Sequence, residues 1–302
     1  MRVLVYGATG SQAGPVVELL LRRNHEALVL TRDPVKAARR CPPGAAAVAG
    51  DFDDPQSLIR ASAGVDAVSF MVPAFLENPE KALVYAERAI EAAKAGGARL
   101  VVWNTGGRFP EPGNARALDK AMLATFEVLK AGGLPLTVIA PTTYMENLLG
   151  PGALTAIRNQ STVAYPVLPD RKMGWIASRD VSAFVVAALE RPYLAGRVFR
   201  VSGKEALTGP LLAAAFTEVL GRPFRFRTLT PDQMRRALEE AYGQGAGDEV
   251  AQEYGLDQAD PNPPAKHYDM TPVLQDLPIE MTSIRDWIAL HADEFSEVAR
   301  QI

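Results

Sequence analysis

The run Val3-Leu4-Val5-Tyr6 passes without a break into Gly7-Ala8-Thr9-Gly10-Ser11-Gln12-Ala13-Gly14. An aliphatic run, a glycine turn and a helical segment together describe a strand that turns tightly into a helix. Glycine at 7 permits the turn, and glycine at 10 lets a ligand approach the backbone. The small residue at 13 lets helix and strand pack closely. The first amides of such a helix lack intrahelical partners and lie along a dipole that favours an anion. A glycine pattern alone is weak evidence, but this one follows a strand, opens a helix and begins a series of such units. It predicts a cradle for a pyrophosphate built from Gly7, Thr9, Gly10, Ser11 and Gln12; the alternative is a purely structural turn.

The series is carried by short aliphatic runs: Ala27-Leu28-Val29-Leu30, Ala47-Val48-Ala49, Ala67-Val68-Ser69-Phe70-Met71, Leu100-Val101-Val102-Trp103 and Leu136-Thr137-Val138-Ile139. Near-continuous apolarity is what parallel strands covered on both faces require. Helical spacing runs between them, most clearly over Pro79 to Lys94 and Ala117 to Lys130. Asp33-Pro34 and Asp54-Pro55 read as a cap followed by proline at the first helical position, and Gly96-Gly97 and Gly132-Gly133 as stops. The fold class expected is α/β, a doubly wound parallel Rossmann sheet with a smaller α/β C-terminal substrate region.

Residues 1–150 are expected to form the Rossmann domain, with strand contributions from later residues, and 151–302 the smaller region. In that second half Tyr165-Pro166-Val167, Gly174 to Ala177, Arg197 to Val201 and Phe224 to Arg227 read as strands. Asp180 to Leu189, Thr208 to Leu220 and Thr282 to Ala292 read as helices. Gly243 to Pro264, rich in Gly, Pro, Asp and Gln, reads as a loop or lid.

Bulk properties narrow the function. A formal charge of -3 over 302 residues argues against direct nucleic-acid binding, which needs a basic face. Cys41 is the only cysteine, and His25, His267 and His291 are scattered, so no disulfide and no metal site is expected. No apolar run reaches the roughly 20 residues that span a bilayer. The first strand begins just after Met1, so no signal peptide is expected and the cytoplasm is the expected compartment.

Several stretches together resemble the NmrA-like family of atypical short-chain dehydrogenase/reductases. They are Gly7 to Gln12, Gly50-Asp51-Phe52-Asp53-Asp54, Leu118-Asp119-Lys120 and Pro141-Thr142-Thr143-Tyr144-Met145-Glu146-Asn147, with Asp180-Val181 and Leu207-Thr208-Gly209 in the second half. The resemblance covers most of the chain and implies a nicotinamide dinucleotide as cofactor. Ala13 departs from the family's glycine, and alanine is tolerated at that packing position.

The second strand ends Leu30-Thr31-Arg32-Asp33. An acid there bonds the ribose of NAD, whereas an arginine accommodates the extra phosphate of NADP. Asp33 is accounted for as the cap before Pro34, which leaves Arg32 to meet a phosphate, with Lys36 adding charge. NADP (as NADPH) is the expected cofactor and NAD the alternative. The resemblance places Asp51 and Phe52 beside the adenine; a loop aspartate that satisfies local amides is the plainer reading of Asp51. Val72-Pro73 ends the fourth strand where ribose and nicotinamide are expected to pass, or is a plain strand stop.

Typical short-chain dehydrogenases carry a tyrosine four residues before the lysine that binds the nicotinamide ribose. Lys120 matches that lysine, but Arg116 stands where the tyrosine would be. Lys120 is thus the expected ribose contact, against the reading of a solvated helical lysine. Thr105 falls near the slot of the usual active-site serine, and Tyr144 is a candidate proton donor or a packing residue. Trp175 and Tyr165 are core residues or walls of a flat pocket. Without the tyrosine, a quinone-like acceptor is favoured over an alcohol or ketone, because a delocalised product can be protonated by water. The expected function is an NADPH-dependent oxidoreductase of a quinone-like or other small conjugated acceptor. The alternative is a non-catalytic NADP(H)-sensing regulator that acts through a protein partner.

Overall fold

The computed structural model describes residues 1–73, 76, 81–110 and 117–296. Strand and helix alternate from the start: β1 (Arg2–Val5), α1 (Gly14–Arg22), β2 (Glu26–Thr31), α2 (Pro34–Ala38), β3 (Ala46–Ala49), α3 (Pro55–Ala61), β4 (Ala67–Phe70), α4 (Lys81–Gly96), β5 (Val101–Asn104), α5 (Ala117–Ala131) and β6 (Leu136–Pro141). The chain continues through β7 (Thr143–Tyr144), α6 (Pro151–Gln160), β8 (Thr162–Tyr165), β9 (Met173–Ile176), α7 (Ser178–Leu189), β10 (Val198–Val201), β11 (Ala206–Leu207) and α8 (Gly209–Leu220). It ends with β12 (Arg225–Thr228), α9 (Pro231–Tyr242), α10 (Asp248–Ala259), α11 (Thr271–Asp276), α12 (Ile284–Leu290) and α13 (Ala292–Phe295).

These elements divide into two compact units. The first comprises Met1–Pro141, Ser178–Val201 and Met270–Glu280; the second comprises Thr142–Ala177, Ser202–Asp269 and the chain from Met281 onward.

In the first unit seven strands form one sheet in the order β10-β6-β5-β4-β1-β2-β3. Every pairing in it is parallel. The order reverses between β1 and β4, which makes this the doubly wound sheet expected. Every residue of β4, β5 and β6 is buried, as the unbroken apolar runs require. Leu4, Tyr6, Leu28, Phe70, Trp103 and Val138 belong to its core. α7 is buried along nearly its whole length, which suits a helix apolar on most of its faces.

The punctuation residues act as expected. Asp33 accepts the Lys36 amide at 2.9 Å, and Asp54 accepts those of Gln56 and Ser57 at 3.1 and 3.2 Å. α4 and α5 stop where Gly97 and Gly133 take φ of +92° and +77°. Of the helix expected over Pro79 to Lys94, residues 79 and 80 lie outside the described residues.

The second unit holds a three-stranded sheet, β11-β9-β7, and a two-stranded one, β12-β8. Met145, Ile157, Trp175, Phe216, Trp287 and Phe295 belong to its core. Two expectations are corrected here. The strand read over Tyr165-Pro166-Val167 closes at Tyr165, because Pro166 has no amide to give and Val167 turns back to bond the Tyr165 carbonyl at 2.9 Å. The stretch from Gly243 to Pro264 is not a loop throughout, since Asp248–Ala259 is helical. Its Gly, Asp and Gln content suggested irregular chain, but α10 is stabilised by packing on α9, and a Cβ on Gly247 would stand 2.6 Å from the Arg235 carbonyl oxygen. α9 was not read from the sequence, although Thr230-Pro231-Asp232-Gln233 marks its start: Thr230 and Gln233 form a reciprocal capping box. Among the described residues no helix is long and apolar enough to cross a membrane, and no cluster of side chains could hold a metal ion.

Candidate cofactor site

The loop after β1 has the geometry its glycines require. Gly7 sits at φ +71°, in the left-handed region, and a Cβ on it would lie 3.8 Å from that of Ala13. A Cβ on Gly10 would press to 3.3 Å on the Gly7 carbonyl oxygen. Gly10 donates to Gly7 and Gly14 to Gly10, each at 2.9 Å, so the loop is a closed turn. Ala13 is buried where helix meets strand, and its methyl is accommodated there. The amides of Thr9, Ser11 and Gln12 donate to no backbone carbonyl among the described residues, and α1 has no side-chain cap. Free amides at a helix start and a surface stripped of Cβ atoms fit a diphosphate.

At the end of β2, the Asp33 carboxylate is engaged in capping α2. Thr31 Oγ1 accepts the Asp33 amide at 3.2 Å, which fixes the chain on either side of Arg32. Arg32 is exposed and forms no ion pair among the described residues. Lys36 is likewise exposed, one turn into α2.

Past the end of β3, Asp51 Oδ1 accepts the Asp53 amide at 3.0 Å, the local turn that its plainer reading requires. Phe52 stacks on Tyr85 of α4, with centroids 4.5 Å apart and planes 14° from parallel, and its ring lies 5.4 Å from that of Tyr6. Arg88 donates to the Phe52 carbonyl at 2.6 Å, and Asp53 meets Arg88 and Lys81 at 3.5 Å each. Tyr85 and Arg88 therefore pin the Asp51-Phe52 segment, a role that no sequence motif reveals.

The loops after β1, β4 and β5 converge. A Cβ on Gly106 (φ +72°) would lie 3.2 Å from Met71 Cε and 3.7 Å from Gln12 Oε1. Val72 is half-buried and Pro73 exposed just beyond Met71. The Thr105 hydroxyl donates to the Gly107 carbonyl, and its amide donates to Ile139 at 3.0 Å. Asn104 Oδ1 accepts the Gly106 amide at 3.0 Å. Three residues on from Thr105, Arg108 meets Asp119 at 2.9 Å, with side-chain exposures of 14% and 4%. Lys120, the next residue, is exposed on α5 and forms no ion pair among the described residues. Asp119 stood in the sequence only as a neighbour of Lys120; its partner lies eleven residues back, which no periodicity connects. Arg116 lies outside the described residues.

The remaining candidates belong to the second unit. Tyr144 pairs with Ile176 in the short β7–β9 ladder and is 2% exposed. Tyr165 and Trp175 are buried against one another, edge to face at 4.7 Å. The Tyr165 hydroxyl is 2.9 Å from that of Tyr254 and accepts from Asn147 at 3.1 Å, while burial raises its pKa.

A family model described as the NmrA-like family matches residues 1–269. The chain is 32% identical over 237 residues to an NAD(P)H azoreductase of Xenophilus azovorans, covering 78% of this chain and 80% of that one. It is 32% identical over 297 residues to the (4-alkanoyl-5-oxo-2,5-dihydrofuran-3-yl)methyl phosphate reductase of Streptomyces griseus, covering 97% and 99%. Among solved structures, the triphenylmethane reductase of Citrobacter sp., complexed with NADP(H), shares the fold with a TM-score of 0.78 at 17% identity, over 96% of this chain and 99% of that one.

Proposed function

The chain belongs to the NmrA-like family, and from that premise we propose an NADPH-dependent oxidoreductase that reduces a quinone-like or other small conjugated acceptor. The observation that carries this reading is the meeting of Gly106, Met71 and Gln12 where the strand order reverses, the place where α/β sheets bind ligands. The azoreductase and the dihydrofuranyl phosphate reductase are named for conjugated acceptors, an azo group in one and an unsaturated lactone in the other.

NADPH supplies a hydride when bound. Gly7, Thr9, Gly10, Ser11 and Gln12 hold its pyrophosphate through backbone amides. Arg32, with Asp33 committed to its cap, holds the extra ribose phosphate, and this favours NADP over NAD. Asp51 and Phe52 flank the adenine; Val72 and Pro73 line the path to the nicotinamide. Lys120 holds the nicotinamide ribose, and Thr105, its hydroxyl turned to a backbone carbonyl, shapes the neighbouring wall. A conjugated acceptor spreads the arriving charge, so water can protonate the product and no buried acid is needed. Tyr144 is 2% exposed, and no proton-transfer step is assigned to it. The cytoplasm is the compartment proposed.

The test is steady-state NADPH and NADH oxidation against quinones, azo compounds and unsaturated lactones. An acceptor-dependent rate that prefers NADPH is expected. Tight NADPH binding with no turnover on any acceptor would overturn the enzyme reading and favour a regulator acting through a protein partner.

A further inference from the structure

The second unit contains a cleft of about 190 Å³ between the β8–β9 connection, the end of α10 and the chain that follows α10. Its walls are largely apolar, with Val167, Met173, Pro263 and Pro264 among them, yet Arg171, Lys172 and Lys266 also line it. Only one carboxylate does so, that of Asp257, and Lys266 takes it at 2.7 Å. Arg171 is held by neutral groups: it donates to the Asp260 carbonyl at 3.2 Å and to the Pro261 carbonyl at 3.3 Å. Its Nε is buried and has no partner among the described residues. Lys172 is exposed and forms no ion pair among them. Arg171 and Lys172 therefore have no ion-pair partner among the described residues, in a cleft lined mainly by apolar side chains. A half-buried guanidinium without a counter-charge is costly, and an anion beside it removes that cost.

The cleft is also preformed. Gln258 donates to the Pro166 carbonyl at 3.1 Å and to the Leu229 carbonyl at 2.9 Å, and the Gly174 amide donates to the Lys266 carbonyl at 2.7 Å. The Arg171 and Lys266 contacts tie the 260–266 segment to the same frame. Sites fixed before binding lose less entropy on taking a ligand. His267 lies beside this rim, and its pKa is lowered by burial first and by Lys172 second, with Asp269 opposing.

We propose that this cleft is a binding site for a small amphipathic anion, one phosphate or carboxylate on a short apolar body. Arg171 and Lys172 receive the anionic group, and the proline and methionine walls receive the body. The volume sets the size, since it is below the roughly 300 Å³ at which sites for drug-sized ligands begin. The site is independent of the dinucleotide reading, because every residue in it belongs to the second unit.

Calorimetric titration of the full chain, saturated with NADPH to block the phosphate loop, tests it with n-butyl phosphate, pentanoate and n-butanol. The same titrations without dinucleotide separate failure of this site from failure of cofactor binding. Binding of one or both anions at one per chain is expected, with butanol much weaker. Lys172→Glu should weaken the anion about tenfold or more, the size of one charge-assisted bond, with Lys172→Gln intermediate. Failure of both anions to bind, or equal binding by Lys172→Glu, overturns the proposal.

Discussion

The guanidinium of Arg108 lies 2.9 Å from the carboxylate of Asp119, and both side chains are largely withdrawn from water. That pair ties the loop carrying Thr105 to the turn of α5 that carries Lys120. Removing one member takes a charge-assisted hydrogen bond from a largely buried group, so Arg108→Met should cost about 1.5–3 kcal/mol, read from urea unfolding midpoints. A single-variant cost within about 0.5 kcal/mol, the range of surface substitutions, would show that the pair holds nothing in place.

Arg32 should decide between the two dinucleotides. Asp33 is bonded to the amide of Lys36 and leaves the arginine as the group facing an added phosphate. Arg32→Ala should raise the dissociation constant for NADPH by about ten- to a hundredfold while leaving NADH nearly unchanged. Equal losses for both would assign Arg32 to something other than the ribose phosphate.

Gly7 should be intolerant of any side chain for a conformational reason. Its φ of +71° costs an L-residue about 1–2 kcal/mol, although a Cβ there would find van der Waals room at 3.8 Å from Ala13. Gly7→Ala should therefore lower the thermal midpoint by several degrees and weaken dinucleotide binding. Unchanged stability would mean that the turn relaxes freely.

Acid should destabilise the protein in two stages. Burial and the nearby Lys172 depress the pKa of His267, with Asp269 opposing, so the unfolded chain takes up that proton first. Stability from this group is present above the ordinary histidine value of about 6.5 and is lost as pH falls below it. Asp66 is depressed chiefly by the Arg2 backbone amide at 2.8 Å, so its contribution is present above about 3.9 and is lost as pH falls through the lowered folded value. Unfolding midpoints across this range should show both declines, and His267→Gln should flatten the upper one. A midpoint that rises on acidification would reverse the sign of the argument.

The sheet was legible because its cause is local: aliphatic runs buried on both faces, and Asp-Pro and Gly-Gly boundaries that cap and stop helices. The phosphate loop was legible for the same reason, since strand, glycines and helix are contiguous. What escaped was held by distant partners. Nothing near Phe52 signals Tyr85 or Arg88, and Arg108 and Asp119 share no repeat. α10 was misread because the Gly-rich flank before it and the Asp- and Pro-rich flank after it were read as one stretch, although Asp248–Ala259 holds helix formers such as Glu249, Ala251, Glu253 and Leu256 with acids in its first turn.

The most direct measurement is the fate of deuterium from NADPH labelled at the transferable position of the nicotinamide, followed by mass spectrometry of a reduced quinone or unsaturated lactone. With the lactone, one deuterium on carbon per NADPH consumed is predicted. With a quinone, whose deuterium can exchange with water, matched loss of label and gain of product is predicted. NADPH that stays bound and fully labelled while every acceptor is recovered unchanged would contradict the account.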